Sequence, residues 1–117
     1  GSPAEFKDIT LSDYVGDRYT SLTDDPYQKG FVSNYARSHY SEDVAETGGR
    51  LISLTEAERE AMIAKAGPVG GPLIRKKYDM LKKWLKDSYG VDTDRWCEIY
   101  HRRIAQLDNL DWESLDK

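Results

Sequence analysis

The chain has 117 residues, of which 38% are hydrophobic and 32% charged, and its formal net charge is −4. This length suits one small domain with a modest core. The negative charge excludes a general electrostatic attraction to nucleic acid or to an anionic membrane surface. The single cysteine, Cys97, excludes an internal disulfide, and its expected place is the buried face of a helix.

The first part of the chain shows no helical periodicity. Residues 1–6 read Gly-Ser-Pro-Ala-Glu-Phe, which is typical of an expression-tag remnant, so we take 7–117 as the domain. Lys7–Lys29 is rich in Asp, Ser, Thr, Tyr and Gly, and we predict an irregular lead-in with a short helical turn near 11–15. Three tyrosines are expected to pack this lead-in onto the core, namely Tyr14, Tyr19 and Tyr27.

A helix start follows at Ser41, which is a favourable N-cap residue. Glu42 and Asp43 come next, and acidic side chains suit the positive end of a helix. Glu42 and Glu46 are four residues apart, so a helix places them on one face. Tyr35 precedes Glu42 by seven residues on the incoming segment. On composition alone, this stretch predicts an acidic, capped helix start with a packed tyrosine.

The sequence predicts an all-α fold in which about four helices follow the lead-in and pack antiparallel where loops are short. Their predicted bounds are 41 to 52 or 54, 55–65, 72–89 and 93–107. A capping box of Thr55 and Glu58 opens the second helix. The glycine-rich run 66–71 is predicted to be a linker, and Gly90 to end the third helix.

Two helices have predicted inner faces. In the third helix the inward residues are Ile74, Tyr78, Leu81 and Leu85, and the solvated face carries Arg75, Lys76, Lys77, Lys82, Lys83 and Lys86. In the last helix the inward residues are Trp96, Ile99, Tyr100, Ile104 and Leu107. The end of the chain, 109–117, is expected to fold back through Leu110, Trp112 and Leu115. Acidic residues in the last helix argue against DNA binding by this helix pair.

The sequences of several segments resemble those of a known family. Gly30 to Ala36 reads Gly-Phe-Val-Ser-Asn-Tyr-Ala, and Glu42 to Glu46 reads Glu-Asp-Val-Ala-Glu. A tyrosine followed seven positions later by Glu-x-x-Ala-Glu resembles the second half of a gluzincin-type zinc peptidase site, as in toxin peptidases of the lethal-factor type. The closer resemblance is to zinc-binding metallopeptidases that are lipoproteins of the bacterial cell envelope. Segments 71–77 and 85–92 also resemble this family, so the likeness covers nearly all of 7–117.

The resemblance implies a role for each of three residues. Glu42 would be the third protein ligand of a zinc ion, and zinc accepts carboxylate oxygens. Glu46 would hold a metal-bound histidine in place. Tyr35 would donate a hydrogen bond to the oxyanion formed during attack on a peptide carbonyl. Gly48 and Gly49 depart from the family, where a continuous helix is expected, and each weakens a helix by about 1 kcal/mol.

A peptidase of this type also needs His-Glu-x-x-His on a helix, and neither His39 nor His101 belongs to such a pattern. We therefore expect the chain to be the C-terminal half of a zincin-like catalytic domain, inactive alone and without tight zinc binding. The expected partners are the N-terminal part of the same protein and a peptide or protein substrate. The resemblance also implies a periplasmic or outer-membrane lipoprotein, attached to the membrane through a lipid outside this chain.

The residues leave an alternative open. The chain could be a non-catalytic helical module of a cell-envelope protein, which binds a protein partner through its acidic face or its aromatic lead-in. The same sequence is also compatible with a complete but catalytically inactive protein. A His-Glu-x-x-His pattern in the coding sequence upstream of Lys7 would favour the peptidase.

Overall fold

The computed structural model describes residues 5–108, and the prediction for 109–117 lies outside that range. Three α-helices follow the lead-in: α1 (Tyr40–Ser53), α2 (Glu56–Tyr89) and α3 (Thr93–Asp108). The lead-in and the approach to α1 contain short 3-10 segments, at Phe6–Asp13, Gly16–Ser21, Tyr27–Lys29 and Tyr35–Arg37. The described residues contain no strand, which confirms the all-α prediction. None of their helices is long and apolar enough to cross a membrane.

The helix α2 contains both the second and the third predicted helix. Its start is the predicted capping box: the Glu58 N–H donates to Thr55 Oγ1 at 3.1 Å, and the Thr55 N–H donates to Glu58 Oε1 at 2.9 Å. The predicted linker 66–71 is wrong. The chain kinks at Gly67, where φ is 85°, and the helix resumes at once. Pro68 is tolerated there because the first turn of a helix needs no N–H from it.

The glycines after this kink allow a close approach between α2 and the lead-in. A Cβ on Gly70 would lie 1.9 Å from the Tyr27 carbonyl oxygen and 2.9 Å from Gln28 Cα. Both neighbours are backbone atoms, so neither can move aside as a flexible side chain would. The absence of a side chain at Gly70 therefore serves packing inside a helix, where the sequence predicts a linker.

Gly70→Ala is expected to lower the free energy of unfolding by at least about 1–3 kcal/mol, the usual cost of overpacking. Gly48→Ala is the matched control, because a Cβ there meets nothing within 4 Å and the residue lies inside α1. The control should stabilise the protein by about 0.5–1 kcal/mol. Urea denaturation of both variants measures the difference, and equal stabilities would contradict the packing role of Gly70.

The core lies between the lead-in, α1 and the two parts of α2, before and after the kink at Gly67. Its buried residues are Phe6, Val32, Leu51, Ala66, Ile74, Tyr78 and Leu81. Tyr27 packs against this cluster and Tyr14 packs edge to face on the buried Phe31, as predicted, whereas Tyr19 packs on the exposed Tyr35. Phe6, which the sequence groups with the leading extension, is fully buried, so it is part of the folded structure.

Tyr78 makes the stability of this core sensitive to alkaline pH. Burial raises the pKa of its hydroxyl from 10.0 to about 12. The neutral form is therefore favoured in the fold, and its contribution is complete below pH 10 and lost as the pH rises to about 12. Two pKa units correspond to about 2–3 kcal/mol. Unfolding midpoints in urea between pH 8 and 12 should fall less steeply for Tyr78→Phe, and identical slopes would contradict the expectation.

The C-terminal end of α1 is held by both other helices. The helix runs without a break through Gly48 and Gly49 to Ser53. A guanidinium nitrogen of Arg59 donates to the carbonyls of Leu51 at 3.0 Å and Leu54 at 2.6 Å. The thiol of Cys97 donates to the same Leu54 carbonyl at 3.1 Å, and its burial confirms the prediction for this cysteine.

The helix α3 begins where the sequence predicts, because Asp92 Oδ1 accepts the N–H groups of Asp94 and Arg95. The predicted inward face of α3 is wrong: four of its residues are exposed, namely Trp96, Tyr100, Ile104 and Leu107. Thr93 and Cys97 are buried instead, and 102–108 are exposed. The periodicity correctly indicates an apolar stripe, but the described part of the chain does not cover it.

Candidate functional site

The segment that carries Tyr35 is braced by the lead-in. The Val15 N–H donates to the Arg37 carbonyl at 2.8 Å, and the Gly16 N–H donates to the Ser38 carbonyl at 3.1 Å. The buried guanidinium of Arg37 forms a 2.8 Å salt bridge with Asp24. The 3-10 turn Tyr35–Arg37 therefore has a fixed place immediately before α1.

The N-cap of α1 is His39, and the prediction of Ser41 is wrong. His39 Nδ1 accepts the Ser41 N–H at 3.1 Å, and the His39 carbonyl accepts the N–H groups of Glu42 and Asp43. The helix starts at Tyr40 because the imidazole nitrogen satisfies a free N–H two residues earlier than a cap at Ser41 would. Glu42 and Asp43 keep their predicted places in the first turn.

Tyr35 and Glu42 lie next to each other. The pKa of the Tyr35 hydroxyl is raised above its ordinary value chiefly by the neighbouring Glu42 carboxylate, with a smaller effect from Glu46. Tyr35 is 44% exposed, and its ring meets that of Tyr19 edge to face at 5.4 Å. The structure therefore brings the three predicted site residues together on one accessible face.

Glu46 lies one turn beyond Glu42 and is held by two neighbours. Ser33 Oγ donates to Glu46 Oε1 at 2.9 Å, and Arg50 forms a 3.3 Å salt bridge with Oε2. Ser33 Oγ also accepts the Ala36 N–H at 3.1 Å, so Glu46 is connected to the turn that carries Tyr35. A carboxylate has about four lone-pair sites, so Glu46 can still accept a further hydrogen bond.

A buried polar cluster lies directly behind this face. Asp43 and Lys77 are fully buried, and Lys77 Nζ lies 2.7 Å from Asp43 Oδ2. Asp43 also accepts hydrogen bonds from the hydroxyls of Tyr14 at 2.7 Å and Thr47 at 3.1 Å. The Lys77 contact lacks the angular alignment of a hydrogen bond, and the ammonium also lies 3.8 Å from the centre of the Phe31 ring.

Burial sets the electrostatics of this cluster. It raises the pKa of Asp43 and lowers the pKa of Lys77, while the opposite charge of each partner works against both shifts. Burial also raises the pKa of Tyr14, whose hydroxyl donates to the Asp43 carboxylate. Each of these groups therefore depends on the others for compensation inside the core.

The cluster corrects one sequence prediction and adds a residue that was missed. The sequence predicts Lys77 on the solvated face of its helix, but it is fully buried. The signal was present in the spacing, because Lys77 lies three residues after Ile74 and four before Leu81, within the buried stripe. The sequence predicts Asp43 only as a favourable first-turn charge, because its burial depends on a helix that lies far along the chain.

The metal-binding capacity of the described chain is limited. Within 5–108, no group of three or more His, Cys, Asp or Glu side chains could hold a metal ion. Glu42 fits the part of one zinc ligand, since its carboxylate forms no salt bridge in the described region and lies on an accessible face. The remaining ligands of a zinc site would come from elsewhere.

Comparison with known proteins identifies the family. Residues 2–94 match the sequence profile of a family described as "Putative zinc-binding metallo-peptidase". The match spans well over half of the chain, and the chain belongs to this family. A search of the curated proteins gives no match.

A solved structure supports the same assignment. The chain is similar to a putative zinc-binding metallo-peptidase from Bacteroides caccae ATCC 43185, with 32% sequence identity and a TM-score of 0.83. The similarity covers 95% of this chain and 43% of that one. The present chain thus corresponds to less than half of the length of its structural relative.

Proposed function

We propose that this chain is the C-terminal part of the catalytic domain of a zinc-dependent peptidase. The observation that carries the proposal is the pairing of Tyr35 with Glu42 on an accessible face, in a chain of the zinc-binding metallopeptidase family. A carboxylate without a salt-bridge partner beside a tyrosine hydroxyl suits a metal ligand next to a hydrogen-bond donor. Hydrolysis of peptide bonds is the reaction that the family name suggests.

Each of the three residues has a proposed task. Glu42 would supply one carboxylate oxygen to the zinc ion. Glu46 would accept a hydrogen bond from a zinc-ligating histidine and fix its orientation, as outer carboxylates do in such sites. The chemistry that zinc supplies when bound is the activation of a water molecule and the polarisation of a carbonyl group.

Tyr35 is suited to donate a hydrogen bond to the oxygen of the attacked carbonyl. A tyrosine hydroxyl is protonated at neutral pH, so it can donate a hydrogen bond. Donors placed where negative charge develops stabilise the transition state more than the ground state.

The proposal requires a second part of the same protein. In this proposal the described residues would supply one of the three protein ligands that catalytic zinc sites use, so a preceding segment with His-Glu-x-x-His is the expected partner. This chain alone should neither bind zinc tightly nor cleave peptides. A peptide or protein substrate and a location in the bacterial cell envelope complete the proposal, and the location rests on the resemblance alone.

Glu42→Gln in the longer protein tests the assignment of the ligand. Glutamine keeps the size of the side chain but removes the charge that favours zinc, so bound zinc should fall sharply after dialysis against a weak chelator. Elemental analysis of the purified protein measures it. The control is Glu56→Gln, which changes an exposed glutamate in the first turn of α2. Equal zinc in Glu42→Gln and the unchanged protein would defeat the proposal.

One observation favours the alternative, a non-catalytic module that binds a protein partner. Four large apolar side chains of α3, from Trp96 to Leu107, are exposed in the described chain. The zinc measurement separates the two functions, because a non-catalytic interaction module would hold no zinc that depends on Glu42.

A further inference from the structure

The buried ion pair connects the two segments that carry the candidate site residues. Asp43 follows Glu42 directly in the first turn of α1. Phe31 lies four residues before Tyr35, on the segment that leads into the Tyr35–Arg37 turn. The Lys77 ammonium from α2 contacts both, at 2.7 Å from Asp43 Oδ2 and 3.8 Å from the centre of the Phe31 ring. One side chain thus links three segments directly behind the accessible face.

An ion pair is a costly way to fill this volume. Removing two charges from water costs several kcal/mol for each ion, and apolar residues of similar size often give equal or better stability. Besides filling space, the ion pair fixes the orientation of the first turn of α1. The two oxygens of Asp43 are held by Lys77, Tyr14 and Thr47, so the first turn of α1 cannot rotate without breaking several contacts.

We propose that Lys77 and Asp43 are a positioning pair, which holds the first turn of α1 against the segment Phe31–Arg37 so that Glu42 and Tyr35 keep their mutual geometry. Neither residue touches the substrate or the metal in this proposal. Its catalytic meaning rests on the proposed function, whereas the positioning itself is a property of the described chain and is testable without a metal.

The positioning is measured in a variant that removes both charges. Lys77→Met combined with Asp43→Asn keeps the approximate volumes and leaves an acceptor for Tyr14 and Thr47, so the fold should persist. Amide hydrogen exchange on the chain of 117 residues then reports local opening. We expect protection to fall by about tenfold or more at two groups of amides, 36–38 and 42–43, with little change in 95–101.

A matched control and a second variant sharpen the measurement. Lys83→Met combined with Asp87→Asn removes an exposed ion pair from the same helix and should leave exchange unchanged. Phe31→Leu keeps the ion pair but removes the ring under the ammonium, so it should reduce protection at 36–38 more than at 42–43. If the paired variant, Lys77→Met with Asp43→Asn, fails to fold, the exchange measured in Phe31→Leu still tests the positioning role. A folded variant with unchanged protection at these amides overturns the inference.

The longer protein supplies a second measurement. The paired variant should bind zinc at least about 10-fold more weakly, because a ligand whose supporting contacts are lost is held less firmly in its binding geometry. Unchanged zinc affinity in the paired variant, with Glu42→Gln depleted of zinc, would overturn the positioning role while leaving the proposed function intact. Undiminished zinc in Glu42→Gln would defeat the proposed function, and the exchange result would still decide whether the pair positions the two segments.

Discussion

Tyr35→Phe in the longer protein is expected to slow peptide hydrolysis about 100- to 1,000-fold, the usual cost of losing one oxyanion donor. The zinc content should stay the same, because the hydroxyl is not a proposed ligand. The loss should appear in kcat more than in KM, since the hydrogen bond strengthens where negative charge develops on the substrate. Rates with a peptide substrate and elemental analysis of the same preparation measure both quantities.

The geometry gives this prediction a specific control. Tyr40→Phe removes the hydroxyl of another exposed tyrosine in the same part of the chain, at the start of α1, and should leave turnover unchanged. A Tyr35→Phe protein that turns over at the normal rate would contradict the oxyanion role. A protein that loses zinc together with activity would show that Tyr35 holds Glu42 in place instead of acting on the substrate.

Local signals in the sequence correctly predict where most helices begin and end. The Thr55–Glu58 capping box and the left-handed Gly90 form as predicted, and α3 begins at its predicted residue, because each depends on residues within one or two turns. The wrong prediction of Ser41 as the N-cap of α1 also concerns contacts between residues close in the sequence. An imidazole nitrogen two residues earlier satisfies the Ser41 N–H, and histidine is a less common cap than serine.

The other errors concern contacts between distant parts of the chain. The sequence predicts a linker at 66–71, but position 70 needs a glycine because the backbone near Tyr27 packs against it. The apolar stripe of α3 has the right period and lacks a covering element within 5–108. Periodicity identifies an apolar face, whereas burial depends on which element lies opposite.

In the candidate site, too, the sequence leaves contacts between distant residues undetermined. The nearness of Tyr35 and Glu42 follows from the resemblance, since seven residues of separation do not fix a contact between a turn and a helix. The stripe of α2 contains a lysine at a core position, and a lysine is normally placed outside. Only the pairing with Asp43, 34 residues earlier in the chain, makes that burial acceptable.

The cost of breaking this pair is the second large effect that the structure predicts. Lys77→Met alone should lower the free energy of unfolding by about 3–5 kcal/mol, because Asp43 remains fully buried without a compensating charge. Domains of this size are typically stable by about 5–15 kcal/mol, so the variant could lose a large part of its stability. Urea denaturation at neutral pH measures the change.

The same experiment separates lost charge compensation from lost packing. Adding Asp43→Asn to Lys77→Met removes the unpaired charge, so the paired variant should recover most of the lost stability even though it contains two substitutions in the core. Lys83→Met, at an exposed position of the same helix, should show no measurable change. A paired variant less stable than Lys77→Met alone would mean that the pair contributes mainly through packing around Phe31, and that the charge on Asp43 is not what makes the single change costly.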